Sequence, residues 1–356
     1  FGHKYRHFPA LQPKHSEAIR VILWWKSRYP AVTILLSKKD RSDAFKWIWL
    51  LSETAGLFAT DLPFDDKMPS LVIVYLVMTF GWTGAPGEFM VFAWLIKLLH
   101  QSFKPGDPLW NDATPFHDFF LMDDQLLIEP DLGDRARMSR ALAEALIVKA
   151  MGKSAFNREK DQEEGGLDTH KVVWGLSYDT ENMTIALPPA KLEKASYLLN
   201  LPCFDFGSFQ ATLHDYQELR GNQEVWCAVM PCLNLTLAST NAMLRMIGAA
   251  DEKRPLPELL VQASRWLHAW QAVELQRLLV TCSEKWATRF THPMTQALSP
   301  REFLSLPGAA DSVVWIGADA TLERVGAINW SNKTAFAADS SSLYAPLLQM
   351  AKESDA

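Results

Sequence analysis

Phe119-Phe120-Leu121-Met122-Asp123-Asp124-Gln125-Leu126-Leu127-Ile128 sets two adjacent carboxylates between two runs of large apolar residues. The runs read as two short buried strands, and the acidic pair as the turn joining them. Two like charges held side by side against a core are costly unless cations neutralise them. A pair of divalent ions would do so and would give the pair a purpose. Asp is also a common turn residue, so a solvated hairpin tip is the competing reading.

Upstream, residues 31–37 (Ala-Val-Thr-Ile-Leu-Leu-Ser) are β-branched and apolar, as a buried strand should be. They run into Lys38-Lys39-Asp40-Arg41-Ser42-Asp43-Ala44-Phe45. A carboxylate at the end of such a strand suits a metal ligand. Equally, Asp40 or Ser42 would cap a helix starting near Ala44. Residues 46–70 read as the end of a strand or helix and an irregular loop, with Asp61, Asp65 and Asp66 as solvated acids. Residues 71–78 predict a buried strand. Residues 79–87 (Thr-Phe-Gly-Trp-Thr-Gly-Ala-Pro-Gly) form a loop that can approach a flat ligand, since glycine carries no Cβ. Pro86 suits the first turn of a buried helix over 87–101.

Downstream, an amphipathic helix is expected over 134–151, with Leu142, Ala145, Leu146 and Lys149 at helical spacing and Gly152 as its stop. A polar loop follows from Asn157 to Thr169. Residues 171–176 and 183–187 predict a hairpin around a turn at 179–182, and Pro188-Pro189 opens a helix over 190–199. Three further helical stretches are expected at 208–229, 236–249 and 256–284. After a loop-rich linker (285–310), strands are expected at 312–318, 326–330 and 334–338, with Asp319 ending the first.

The 356 residues are 48% hydrophobic and 21% charged, the balance of an ordinary globular protein with room for two or three domains. The net charge of -6 excludes an overall basic nucleic-acid binder. Locally, however, Lys4, Arg6, Lys14, Arg20, Lys26 and Arg28 stand against Glu17 alone in the first 30 residues, facing either a phosphate backbone or solvent. Cys203, Cys227, Cys232 and Cys282 lack a zinc-ligand spacing and read as reduced thiols of an intracellular protein, in cytoplasm or nucleus. There is no secretory signal, and the start at Phe1 suggests a fragment or trimmed product. The apolar stretch from Leu71 to Leu99 is broken by Gly81, Gly84, Pro86, Gly87 and Glu88 into pieces too short for a bilayer, so no membrane is expected.

Four blocks in order carry a resemblance. They are Asp40-x-x-Asp43-Ala44-Phe45, Phe80 through Phe89, Leu121-Met122-Asp123-Asp124, and the lysine-bearing loop Asn157–Lys160 followed by Trp174-Gly175. Over residues 31–190 this resembles the palm of a retroelement reverse transcriptase, of the DIRS-like and Ty3-like retrotransposon polymerases. The region of Leu219-Arg220-Gly221, Trp226 and Pro231 is similar to their thumb. Residues 313–330 resemble the first strands of a ribonuclease H fold, in which Asp319 would be the first acid. The fold implied is α+β: a right-hand polymerase palm (an antiparallel sheet with packed helices), a helical thumb or connection, and a partial ribonuclease H-like α/β unit. The divisions are 1–30 (remnant of fingers), 31–190 (palm), 191–300 (thumb/connection) and 301–356 (ribonuclease H-like).

The resemblance implies an RNA-directed DNA polymerase that takes an RNA or DNA template with its primer, and dNTPs, using two Mg²⁺ ions or Mn²⁺ in their place. A primer 3′-hydroxyl must be activated and charge stabilised on the phosphates, which hard oxygen ligands around two metals achieve. By resemblance Asp40 and Asp123 bridge the metals, Asp124 supports them and the Arg41 carbonyl adds a ligand. The amides of Asp43 and Ala44 hold the triphosphate, Phe45 excludes a ribose 2′-hydroxyl, and Phe80 and Gly81 line the nucleotide pocket. Lys160 protonates the leaving pyrophosphate, with Lys153 as competitor, and Trp174 and Gly175 contact the primer end. Leu121 departs from the aromatic residue usual in the family, the fingers are short, and the second ribonuclease H acid is not evident. An inactive relic that binds nucleic acid or protein, and another two-metal palm enzyme such as a nucleotidyl cyclase, are the competing classes. The oligomeric state is left open.

Overall fold

Apolar residues at Ile34, Leu35 and Leu36 start a strand that ends in two lysines, β1 (Ile34–Lys39). Both lysines are paired: Lys38 Nζ lies 2.7 Å from Glu164 Oε1, and Lys39 Nζ 2.8 Å from Asp161 Oδ1. The computed structural model describes residues 8–62, 71–103, 113–204, 211–229, 237–238, 240–245, 273, 291–306, 316–320, 324–329 and 334–339. The helix expected at 256–284 lies outside these residues save 273, and that at 236–249 in large part. The chain divides into two units, Phe1–Trp174 with Tyr178–Asn182, and Gly175–Ser177 with Met183–Ala356. The described sheet pairings are antiparallel, and the fold mixes helices with antiparallel sheets. No helix among the described residues is long and apolar enough to cross a membrane.

The first unit runs α1 (His15–Arg28), β1, α2 (Ser52–Ala55), β2 (Ala59–Asp61), β3 (Val72–Val74), α3 (Ala85–Ser102), β4 (Asp118–Leu121), β5 (Asp124–Pro130), α4 (Arg135–Met151), α5 (Arg158–Glu163) and β6 (His170–Val173). Its main sheet has the order β1-β5-β4. Lys39 pairs with Gln125 and Ile34 with Pro130, while Leu121 pairs with Asp124. Every residue of β5 from Gln125 to Pro130 is buried, as a central strand covered on both faces requires. Ser16, Ala18, Ile19, Ile22 and Trp25 of α1 are buried, a three-to-four-residue stripe, and α1 packs on β1 and β5. A second cluster joins Phe89, Met90, Ala93 and Ile96 of α3 to Phe120, Ile147, Met151 and Phe156. Each such fully buried side chain contributes roughly 1.5–3 kcal/mol.

Three expectations need correction. The strand at 71–78 is reduced to Val72–Val74, and it is exposed: Leu71, Val72, Ile73, Val74, Tyr75 and Leu76 are 37–56% accessible. It pairs only with β2, and a two-stranded ribbon has no face on which to bury alternate residues. The buried stripe of α4 is Ala136, Ser139, Ala143 and Ile147, not the one through Leu142 and Ala145. Small residues along that stripe let α4 approach α3 and β5, an advantage that hydrophobicity alone does not reveal. The helix α3 is buried on one face only, with Val91, Trp94, Leu95 and Leu98 exposed. Its Pro86 stands in the first turn as expected, and a Cβ on Gly87 would collide with the carbonyl oxygen of Phe8.

The hairpin expected around 179–182 contains two turns, at 174–175 and 180–183, between β6, β7 (Leu176–Asp179) and β8 (Thr184–Ala186). In the second unit β8 pairs with β9 (Thr291–Pro293). Helices α6 (Pro189–Leu199) and α7 (Leu213–Val229) pack together, with Leu198, Leu199, Leu219 and Trp226 buried. Cys203 and Cys227 are free thiols. Strands β10 (Ile316–Ala320), β11 (Arg324–Asn329) and β12 (Thr334–Asp339) form a separate antiparallel sheet. Asp319 pairs with Gly326 inside β10 and so does not end the strand, and residues 312–315 of the expected strand lie outside the described residues.

Candidate active site

Antiparallel pairing sets the C-terminal end of β1 beside the N-terminal end of β5. Lys39 faces Gln125, so Asp40 follows at the end where Asp124 begins β5. The β4–β5 connection is Met122-Asp123, with Met122 in the left-handed region at φ 55. Asp124 is therefore a strand residue, and Asp123 alone belongs to the turn. Register thus gathers three carboxylates at one sheet end from segments some 80 residues apart.

Asp40 is buried and both its oxygens are engaged: Lys160 Nζ lies 3.0 Å from Oδ1, and Asn157 Nδ2 donates to Oδ2 at 3.2 Å. Asp124 Oδ1 is buried without a hydrogen-bond partner, and its nearest cation is Lys160 at 4.0 Å. Burial pushes the Asp124 carboxyl above its ordinary value, against the opposing charges of Lys38 and Lys160. Lys160 moves up as well: the hydrogen bond and charge of Asp40 outweigh, together with Asp124 and Glu164, the downward pull of burial. It therefore stays protonated at neutral pH.

The aim of Lys160 follows from its short helix. Asn157 caps α5 by accepting from the Lys160 amide at 3.1 Å, and its own amide donates to the Asp40 carbonyl at 3.3 Å. One turn on, Asp161 is clamped by Lys39 at 2.8 Å and by Arg140 Nη2 at 2.6 Å. Lys153, by contrast, is exposed on the turn Lys153–Ala155.

Arg41 departs from its sequence expectation, which concerned only its carbonyl. Its guanidinium is wholly buried under the hairpin, with Nη1 donating to the Asp123 carbonyl at 2.7 Å and Nη2 3.4 Å from Gln125 Oε1. The charge sits 4.5 Å from the centre of the Phe120 ring. Burial lowers its pKa to about 10, with Asp123, Asp118, Asp40 and Asp124 opposing, so it remains a cation.

Asp43 stands in the left-handed region at φ 53 before the helical turn Ala44–Trp47, pairs with Lys46 at 2.6 Å and caps nothing with its side chain. Neither Asp40 nor Ser42 occupies that cap position. Ala44 is buried, and Phe45 makes edge contacts with Phe80 at 4.9 Å and Phe89 at 5.5 Å. Phe80 is 68% exposed, and Gly81 takes φ 90 with open space where a Cβ would stand, so conformation rather than close approach requires glycine there. The ring of Trp174 lies 5.7 Å from His15 and 6.5 Å from Phe119, and Gly175 takes φ 86.

Carboxylate oxygens are the donors that Mg²⁺ takes, and a buried carboxylate oxygen without a donor suits an ion better than a neutral neighbour. The donor chemistry of Asp40, Asp123 and Asp124 therefore fits a hard divalent cation. Lys160 supplies the positive charge at Asp40, and among the described residues no three His, Cys, Asp or Glu side chains gather as a metal site.

Sequence reading missed the polar layer beneath the hairpin. Gln125 Nε2 donates to Asp118 Oδ2 at 2.7 Å, Asp118 Oδ1 lies 3.4 Å from His100 Nδ1, and His100 Nε2 lies 3.1 Å from the Ser139 carbonyl. Ser139 Oγ reaches Glu129 Oε1 at 3.2 Å, and Arg135 Nε donates to Glu129 Oε2 at 2.6 Å. The available signal was the interruption of apolar strands by Asp118, Gln125 and Glu129.

No family model matches the chain, and no curated protein matches it. Among solved structures it is similar to the foamy viral protease-reverse transcriptase in complex with an RNA/DNA hybrid, at TM-score 0.44 and 10% identity. That match covers 86% of this chain and 33% of the other, so the chain spans about a third of its length.

Proposed function

We propose that the chain is the polymerase part of a retrotransposon reverse transcriptase, transferring deoxynucleotides from dNTPs to a primer 3′-hydroxyl on an RNA or DNA template. The observation that carries this reading is the register that sets Asp40 beside Asp123 and Asp124, with Asp124 Oδ1 buried and unpartnered. Asp40, Asp123 and Asp124 would hold two Mg²⁺ ions, which when bound neutralise charge on the reacting phosphates. Lys160, protonated and held at Asp40, donates its proton to the departing pyrophosphate. Phe45, braced by Phe80 and Phe89, presents an aromatic edge to the sugar, and a 2′-hydroxyl there would be buried without a partner. Phe80 and Gly81 border the base, the amides of Asp43 and Ala44 face the triphosphate, and Trp174-Gly175 supports the primer end. The ribonuclease H-like role of Asp319 is part of the same proposal.

Primer extension with a DNA primer on an RNA template, Mg²⁺ and dNTPs tests it. Extension by the wild type that Asp123→Asn abolishes is expected. No extension by the wild type, with its fold intact by circular dichroism, refutes it. A second reading, an inactive relic that binds nucleic acid or protein, is favoured by one observation: Lys160 and Asn157 occupy both oxygens of Asp40. Wild-type binding of a primer–template duplex without extension is its signature.

A further inference from the structure

The proposed chemistry takes only a backbone carbonyl from Arg41, yet the side chain is among the most deeply buried in the molecule. We infer that Arg41 is a positioning residue that fixes the Asp123 turn at a set distance from Asp40. This inference rests on the function proposed above.

Three observations meet at the guanidinium. First, Nη1 donates to the carbonyl of Asp123 itself at 2.7 Å. The preceding residue, Met122, is held at φ 55, a left-handed conformation that a residue with a Cβ disfavours. Such a turn persists only where its surroundings restrain it, and the Arg41 bond restrains the next peptide. Second, the guanidinium is itself held: it lies over Phe120, and Nη2 faces Gln125 Oε1, whose amide donates to Asp118. Third, the Arg41 backbone is tied down. It bridges Phe156, with Ser42 N donating to Ala155 O at 3.0 Å and Asn157 N to Asp40 O at 3.3 Å. Asp40 is the residue before Arg41 in the chain, so one side chain sets the spacing between two carboxylates from distant segments. Paired metals demand ligand placement within about 0.5 Å.

The test separates positioning from charge. Arg41→Lys keeps the charge, but an ammonium lacks the planar fork that meets Asp123 O and Gln125 Oε1 together. Charge alone predicts no change for Arg41→Lys and tighter cation binding for Lys160→Met. Positioning predicts opposite signs at the two residues. Mn²⁺ binding to the full chain, read from the loss of the free-ion signal in electron paramagnetic resonance, is measured for wild type, Arg41→Lys, Lys160→Met, Gln125→Met and Asp123→Asn. Arg41→Lys should weaken Mn²⁺ binding by roughly tenfold or more, as loss of a supporting contact does in metal sites. Lys160→Met should tighten it, and Gln125→Met should weaken it less than Arg41→Lys. A merely structural Arg41 would lower the melting temperature and leave the affinity of the folded fraction unchanged.

Wild-type affinity in Arg41→Lys overturns the inference. Should Arg41→Lys fail to fold, Gln125→Met decides, and wild-type affinity there overturns it equally. Wild-type binding that Asp123→Asn abolishes and Arg41→Lys leaves intact defeats this inference alone. A wild type that binds no Mn²⁺ defeats both it and the proposed function.

Discussion

One three-stranded sheet carries two charged clusters, and they are built in opposite ways. Beneath the hairpin, Glu129 has a donor on each oxygen: the His117 amide at 2.8 Å and Ser139 on one, Arg135 on the other. Asp118 likewise accepts from Gln101 at 3.1 Å and from Gln125 at 2.7 Å. At the acidic end, Asp124 keeps an unpartnered buried oxygen. Among the described residues no hydrogen bond reaches the Asp123 carboxylate. The closed cluster holds the strands to α3 and α4. At the acidic end Asp40 is tied to Lys160 and Asn157, and the opening is confined to Asp124 Oδ1, which faces Lys160 only at 4.0 Å. Whether a buried carboxylate is saturated thus separates a structural role from a candidate ligand more sharply than its burial does.

Removing a partner should hurt the two clusters very differently. Burial already pushes the Glu129 carboxyl up to about 7 against the pull of Arg135, so Arg135→Met leaves a buried carboxyl without its guanidinium partner and should destabilise by about 3–5 kcal/mol in urea titration. A loss under about 1 kcal/mol would mean that the lower cluster is not closed.

The pH response offers a second contrast. Despite burial, which acts to lower it, the His100 pKa is raised by the hydrogen bond and charge of Asp118. A histidine raised in the fold contributes stability that is full below about 6.5 and is lost as pH rises through the folded value. The melting temperature should therefore fall over that window in the wild type, and this component should vanish in His100→Asn. A slope unchanged in the variant would remove His100 from the closed cluster.

Asp124→Asn removes a half-buried charge that has no hydrogen bond on Oδ1 and only a 4.0 Å approach from Lys160, so it should change stability at pH 7 by on the order of 1 kcal/mol or less, and upward if at all. Destabilisation matching that of Arg135→Met would erase the distinction. Smallest of all is the surface pair Lys46–Asp43, both side chains more than half exposed, where Lys46→Ala should cost under about 0.5 kcal/mol. That substitution calibrates what an ion pair outside either cluster contributes.

The sequence pointed to the acidic end because its signals are local. A β-branched run before Asp40, apolar runs around Asp123-Asp124 and glycine punctuation at Gly81 and Gly152 each act within a few residues. Helices α3 and α4 and the three C-terminal strands were readable for the same reason. What could not be read depends on distant partners. Residues 71–76 have strand composition, but whether they are buried depends on what covers the ribbon. The inward face of α4 is chosen by close approach at Ala136, Ser139 and Ala143, where hydrophobicity favours Leu142 and Leu146. The resemblance gives Arg41 a carbonyl ligand and nothing for its side chain, and only the register with Gln125 and the hairpin carbonyl gives that side chain a task. Asn157 reads as the start of a polar loop, whereas its bond to Asp40 spans 117 residues.

The most direct measurement is the melting temperature of the wild type and of Asp124→Asn, each with and without Mn²⁺. A ligand that binds only the folded chain stabilises it by about 2.7 kcal/mol at a hundred times its dissociation constant. The open acidic end predicts a clear Mn²⁺-dependent rise in the wild type that is lost in Asp124→Asn. It also predicts that Asp179→Asn, which alters a carboxylate paired with His170 away from this end, keeps the rise. No rise in the wild type, or an equal rise in wild type and Asp124→Asn, would contradict the assignment of that end as a metal-binding centre.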